Sequence, residues 1–164
     1  STNYPLIRNS ILVSVVGDDT EEIAYTILTK AGSGCSFNGN TEITVKDLEN
    51  FPNSPPTYKV RFERPENIPI KFKVTLDSKS SIASQDEKAI KEAILASFSS
   101  GIAKARIGQQ IVASRFICPV SNSAPNITVI SLEVSRDGID YKNSIDIGVN
   151  EFPVTSSSLI EVVK

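Results

Sequence analysis

Alternation of polar and apolar side chains is clearest in two segments near the middle of the chain. Residues 58–64 and residues 69–76 each alternate in this way, which predicts two half-buried strands. Pro65 and Pro69 bound the short stretch between them. Proline lacks a backbone N–H and restricts the residue before it, so we expect the sheet ladder to break there. The pattern therefore predicts two small modules, residues 1–65 and 66–164, that meet near residue 65.

The first module is predicted to follow the order strand, helix, strand, strand. Residues 10–16 are a β-branched run typical of a buried strand, and residues 42–46 alternate as a second strand. Apolar side chains recur at helical spacing between these strands. We expect this helix to be capped by Asp18 or Asp19 and to end at Gly32 and Gly34.

The second module is predicted to follow the order strand, helix, helix and three strands. After the strand at 69–76, a capping box at residues 84–87 opens a helix that ends at Gly101. The remaining predicted elements are a shorter helix at 108–117 broken by Pro119, then strands at 127–134, 144–149 and 159–163. Both modules are therefore predicted to be α+β, each a mainly antiparallel sheet packed by one or two helices.

Composition removes several classes of function. The chain has 164 residues, 40% of them apolar, and no stretch approaches the roughly 20 apolar residues that span a bilayer. No histidine is present, which removes the commonest general base and metal ligand. The net charge of −2 is well mixed, whereas a nucleic-acid binder normally carries a basic excess. The sequence also lacks methionine, including at position 1, so we expect a piece of a longer protein.

Two acidic clusters are candidates for a metal, and both have a structural explanation that we favour. Asp18 and Asp19 follow a strand, where paired carboxylates can hold magnesium, but capping carboxylates at a helix N-terminus explain them better. Asp137, Asp140 and Asp146 suggest calcium, yet they lack the spacing of a calcium loop and fit a solvated hairpin.

Cysteines and glycines suggest no further chemistry. Cys35 and Cys118 are far apart in sequence and pair only if the fold brings them together, so we expect two thiols. Gly32-Ser33-Gly34 follows a helix rather than a strand, and no Gly-Lys-Ser/Thr phosphate loop occurs. We therefore predict no catalytic residue, no cofactor and no metal site, and expect that the chain is not an enzyme.

Basic side chains line the polar faces of the two strands at the joint. Arg61 and Arg64 belong to the first strand, and Lys71 and Lys73 belong to the second. A solvated sheet face explains them most simply. The alternative is contact with an acidic partner protein, for which Arg61 and Arg64 are the candidate residues.

The order of these segments resembles one known family. The relevant features are Gly17-Asp18-Asp19 between a strand and a helix, Arg61-Phe62-Glu63-Arg64-Pro65, and residues 68–76 that follow. Further along, Gly108-Gln109 opening a second helix and the closing Leu159-Ile160-Glu161-Val162 fit the same pattern. From about residue 8 to the end, the chain resembles the C-terminal portion of the baseplate protein J-like family. The Pro-rich Asn53-Ser54-Pro55-Pro56 departs from the shorter, Gly-containing turn typical there.

The resemblance implies a structural component of the wedge in a contractile phage tail or tail-like particle. The protein would help to trigger contraction of the tail sheath. It would be assembled in the bacterial cytoplasm and located in the baseplate of the virion. Its partners would be other wedge proteins, and a second copy of the chain is a further possible partner. No nucleic acid, membrane or small-molecule substrate is expected. Ile160 and Val162 in the last predicted strand are candidate contacts, because an unpaired edge offers free backbone groups. The alternative function is that of a ligand-binding regulatory module.

Overall fold

The computed structural model describes residues 7–31, 34–77 and 82–164. The chain divides into two compact units, Thr2–Glu66 and Asn67–Lys164. Each unit has its own hydrophobic core. Helices and strands are mixed in both, so the α+β class is confirmed. No helix among the described residues has the length and apolarity needed to cross a membrane.

The described residues of the first unit form one helix and four strands. Strands β3 and β4 form an antiparallel hairpin in which Ile43 is opposite Val60. Helix α1 packs on this hairpin, and Ala24 and Ile27 are the buried side chains of the helix. The elements are β1 Ser10–Leu12, α1 Thr20–Lys30, β2 Ser36–Asn38, β3 Thr41–Lys46 and β4 Thr57–Phe62.

Helix α1 begins as predicted, and the strand before it is shorter than predicted. The Asp19 carboxylate accepts a hydrogen bond from the Glu22 N–H at 2.9 Å, which makes Asp19 the N-cap. Residues 13–16 were predicted as strand, but Val13 and Val15 bond only the backbone of Glu63. Strand β2, which pairs in parallel with β1, was not predicted. Of the two predicted helix-ending glycines, Gly32 lies outside the described residues.

The second unit is built on a three-stranded sheet with the order β11-β6-β8. The central strand β6 is antiparallel to β8 and parallel to β11. Phe72 of β6 lies edge-on to Phe98 and Phe116, which belong to the two helices. The elements are β5 Glu66–Pro69, β6 Lys71–Leu76, α2 Ser84–Ser99, β7 Gln110–Val112, α3 Ser114–Ser123, β8 Val129–Ser135, β9 Ser144–Asp146, β10 Glu151–Val154, a 3₁₀ turn Ser157–Leu159, and β11 Ile160–Val163.

The helices of this unit differ from the prediction at their starts. Helix α2 is capped by Ala83 rather than Ser84, and the Ala83 N–H donates to the Asp86 carboxylate at 3.3 Å. The second helix was placed at 108–117, but 110–112 is strand β7 and the helix runs from Ser114 to Ser123 with Pro119 inside it. An interior proline costs about 3 kcal/mol. Full burial of Phe116 and Val120 offsets this, at about 1.5–3 kcal/mol for each side chain.

The predicted break at residues 65–69 is in fact a strand. Residues 66–69 form β5, which pairs with the unpredicted β10. The Ile70 N–H continues this ladder by donating to the Val154 carbonyl at 2.8 Å. Pro69 is the last residue of β5, a position where a missing N–H is tolerated. Pro65 therefore immediately precedes β5 and Pro69 ends it, so the stretch between the two prolines is paired.

Candidate interaction surface

Arg61 is exposed on the hairpin of the first unit and shares one carboxylate with Lys59. Its guanidinium lies 2.6 Å from Glu42, and the Lys59 ammonium lies 3.0 Å from the same carboxyl group. Hydrogen bonds from Lys59 and then Arg61 lower the pKa of Glu42. Two cations therefore face one anion, and this sheet face keeps a positive excess that an acidic partner would neutralise.

Arg64 makes its contacts within its own unit. The guanidinium donates to the Gly17 carbonyl and, at 3.1 Å, to the Thr20 hydroxyl, and it lies 5.1 Å from the centroid of the Phe62 ring. These contacts join the start of α1 to the end of β4. Arg64 is thus placed as a structural side chain, and Arg61 is the more accessible of the two predicted arginines.

A buried carboxylate beside Arg64 was missed by sequence reasoning. Glu63 is 4% exposed and accepts two hydrogen bonds from Asn40, one from the backbone N–H and one from the side-chain amide, both 3.0 Å long. Asn40 also accepts from the Arg64 N–H at 2.8 Å. The network closes the turn between β2 and β3 against the end of β4, so its role is structural. Nothing in the alternating pattern of residues 58–64 indicates it.

Ile160 and Val162 face the core of the second unit. Ile160 is 2% exposed and opposite Phe72 in the sheet, and Val162 is half-buried opposite Val74. These side chains are occupied by their own fold. What β11 presents outward is its backbone edge, since no strand in the described part of the chain pairs with its other side.

A groove of about 480 Å³ runs beside this edge. Helix α2 contributes Glu87 and Lys91, which form an ion pair at 2.7 Å. Tyr141 and Lys71 line it as well, and the Lys71 ammonium donates to the Asp137 carbonyl at 2.9 Å. Burial raises the pKa of Tyr141, with further contributions from the nearby Glu161 and Asp137 carboxylates. Of the charged side chains that line the groove, Glu87 and Lys91 pair with each other and Lys71 donates to a carbonyl, whereas Glu161 is exposed at its edge. The backbone of β11 and the Glu161 carboxylate are therefore the main binding elements of the groove.

Charges alternate across the polar face of the three-stranded sheet. Glu161 of β11 is opposite Lys73 of β6, and Lys73 is opposite Glu133 of β8. Lys73 lies between the two acids and 5.6 Å from the Tyr141 ring centroid. Glu161 is exposed at the open end of this row. Opposite charges on neighbouring strands stabilise a sheet, so the row is favourable as far as it extends.

The aspartates considered for calcium have other roles. One Asp137 oxygen accepts from the N–H groups of Ile139 and Asp140 at 2.8 and 3.0 Å, and from the Ser135 hydroxyl at 2.8 Å. These bonds hold the pKa of Asp137 well below its usual range. Asp140 pairs with Lys142, and Asp146 accepts from Gln110. Over residues 7–31, 34–77 and 82–164, no three His, Cys, Asp or Glu side chains are grouped to hold a metal ion.

The acidic start of α1 borders a cleft of about 740 Å³. Asp19 is occupied as the N-cap, while Glu21 and Glu22 lie in the first turn, where the helix dipole favours them. Tyr25 on the same wall donates to Glu49 at 2.9 Å, and this hydrogen bond raises the pKa of the phenol. These carboxylates therefore have the structural role expected of capping groups.

Several large apolar side chains are exposed in loops and at a strand irregularity. Ile102 and Ile139 are 88% and 87% exposed, and Ile130 lies at the point where the pairing of β6 with β8 shifts register. Single exposed apolar side chains of this kind are ordinary on protein surfaces. Cys35 and Cys118 are both thiols.

No protein-family model and no curated protein sequence matches the chain.

Proposed function

We propose that this chain is a structural component of the baseplate wedge of a contractile phage tail or tail-like particle. It would act by protein–protein contact in assembly and in triggering of the sheath, within the virion. The proposal comes from the order of segments described in the sequence, which resembles the baseplate protein J-like family. The observation that supports a contact role is the open edge of β11, beside a groove that the exposed Glu161 of the same strand also lines.

A second set of features agrees with a contact role. Ile102 and Ile139 are exposed apolar side chains that a partner would remove from water. The excess cation on the Arg61 face of the first unit offers a complementary surface to an acidic partner. Both are typical of a subunit that is stable alone but completed by assembly.

The test is whether the parent protein is part of a tail particle. Tails purified from the source bacterium after induction should contain the parent protein, and electron microscopy of particles from a deletion strain should show absent or collapsed baseplates. Complementation with the intact gene is the control. Normal contractile tails in the deletion strain would overturn the proposal. Copurification with a metabolic enzyme instead would favour the regulatory alternative.

A further inference from the structure

The open edge of β11 has two different faces. On the inner face, Ile160 and Val162 continue the apolar core, and on the outer face Glu161 ends the row of alternating charges. An added strand would place one side chain opposite Glu161 and its two neighbours beside Ile160 and Val162, because side chains alternate along a strand. The edge therefore specifies a pattern as well as a backbone.

We infer that β11 binds an extended segment of another protein chain with the pattern apolar, basic, apolar. This deepens the proposed function and rests on it, because it takes the partner to be a protein of the same assembly. Lysine or arginine opposite Glu161 would continue the sequence of charges that runs from Glu133 through Lys73. The apolar residues on either side would extend the inner face at Ile160 and Val162, and main-chain hydrogen bonds would supply the affinity.

The groove beside the edge fits such a segment better than a charged small molecule. Glu87 and Lys91 neutralise each other, and Lys71 is bonded to the Asp137 carbonyl. A charged small molecule would have to break these contacts to use Glu87, Lys91 or Lys71, while an added strand needs only the edge of β11 and Glu161. The groove volume of about 480 Å³ leaves room on that side of the strand.

A second copy of this chain fits the edge less well. Antiparallel pairing about a two-fold axis keeps like faces together, so the registers that use most of β11 centre on Glu161 or on Val162. The first places Glu161 against its own copy, and like charges directly opposite destabilise a sheet. The second places the apolar Ile160 opposite the charged Lys164. A different chain with a basic residue avoids both.

The test uses the whole chain and three kinds of synthetic strand peptide, and binding is followed by NMR titration. The first peptide alternates valine and lysine, and in the second, glutamate replaces lysine. We expect the lysine peptide to bind about tenfold more tightly, because an attractive pair replaces a repulsive one. Glu161→Lys should invert this order. The side chain is exposed, and the loss of its favourable position opposite Lys73 costs the fold little. Glu21→Lys makes the same change of net charge on the exposed surface of α1 and should leave the order unchanged.

The third peptide distinguishes strand pairing from simple charge attraction. It is the lysine peptide made in two forms, each N-methylated at one set of alternate positions. A strand paired along one edge uses only alternate N–H groups, so one form should lose binding and the other should keep it. Equal binding of both forms, or no inversion with Glu161→Lys, would overturn the inference. So would concentration-dependent dimers of the chain that Glu161→Lys abolishes in sedimentation.

The peptide titration and the deletion strain test the edge of β11 and the baseplate role separately. If the parent protein belongs to tails but no peptide binds, the edge is not the contact and the baseplate role stands. If the lysine peptide binds as expected but tails form normally without the parent gene, the edge specificity stands and the baseplate role falls.

Discussion

The ring of Phe72 meets the ring of Phe116 edge-on, with centroids 5.0 Å apart. Both side chains are fully buried, and they join the central strand β6 to the proline-containing helix α3. The contact explains how α3 persists through Pro119. An aromatic pair of this geometry contributes about 0.5–1.5 kcal/mol beyond its buried area.

Replacing Phe116 with alanine should lower the free energy of unfolding of the second unit by about 3–5 kcal/mol. The cause is a cavity beside Phe72 together with loss of the burial that offsets Pro119. Urea unfolding followed by circular dichroism measures it. The matched control is Ile117→Ala, on the exposed side of the same helix, for which we expect a change below about 1 kcal/mol. Equal losses for the two variants would contradict this account of α3.

Gly39 allows the turn between β2 and β3 to lie against β4. Its φ is +150°, and an added Cβ would lie 2.1 Å from the Phe62 carbonyl carbon. Gly39→Ala should therefore destabilise the first unit by about 3 kcal/mol or more, since backbone strain and a clash with backbone act together. Thermal melting followed by circular dichroism measures the loss.

Gly34 is the control for Gly39. Its φ is +87°, but nothing lies within 4 Å of its added Cβ. Gly34→Ala should cost only about 1 kcal/mol, the ordinary penalty of a left-handed conformation. If both variants melted at the same temperature, the close approach of Gly39 to Phe62 would not be limiting.

Asp137 should make stability depend on pH in the acid range. Its hydrogen bonds to backbone N–H groups keep its pKa lower in the folded chain than in the unfolded chain. The stabilisation is therefore complete above the unfolded pKa, about 4, and decreases as the pH falls below it. Urea unfolding at pH 7 and pH 3 should show a smaller acid-induced loss for Asp137→Asn than for the native chain.

Limited proteolysis of the first unit should begin in the loop between β3 and β4. Leu48 is 58% exposed there, whereas residues 66–69 are paired as β5. Thermolysin requires an apolar residue after the cleaved bond, so within the first unit we expect the first cut before Leu48 or Phe51, which is 51% exposed. Replacing both residues with aspartate should delay this cut. The fragment that contains residues 67–164 should keep its helical circular dichroism, as a semi-independent module would. A first cut inside α2, or loss of that signal, would refute the two-module organisation.

The local pattern of the sequence was enough for the elements that bury one face. Strand β6, with Phe72 and Val74 alternating with lysines, and helix α2, with Ile90, Ile94 and Phe98 at helical spacing, were predicted from their periods alone. The N-cap at Asp19 was also predicted, because its hydrogen bond closes within four residues. These features depend on neighbours along the chain, so the sequence contains their cause.

Elements that depend on a distant partner were not predictable. Strands β2, β5 and β10 are each three or four residues long. Strand β2 depends on hydrogen bonds with β1, and β5 and β10 depend on hydrogen bonds with each other. Helix α3 continues through Pro119 because Phe116 reaches Phe72, far away in sequence.

The candidate interaction surface also combines features that the local sequence pattern predicts with features that depend on tertiary contacts. The sequence indicated β11 as an edge strand, but only the tertiary structure decided that Ile160 faces the core and Glu161 ends a row of alternating charges. A strand of alternating side chains has two faces, and its own sequence does not determine which face a neighbouring helix covers. Packing against α2 makes that choice, because burial of the apolar face removes it from water.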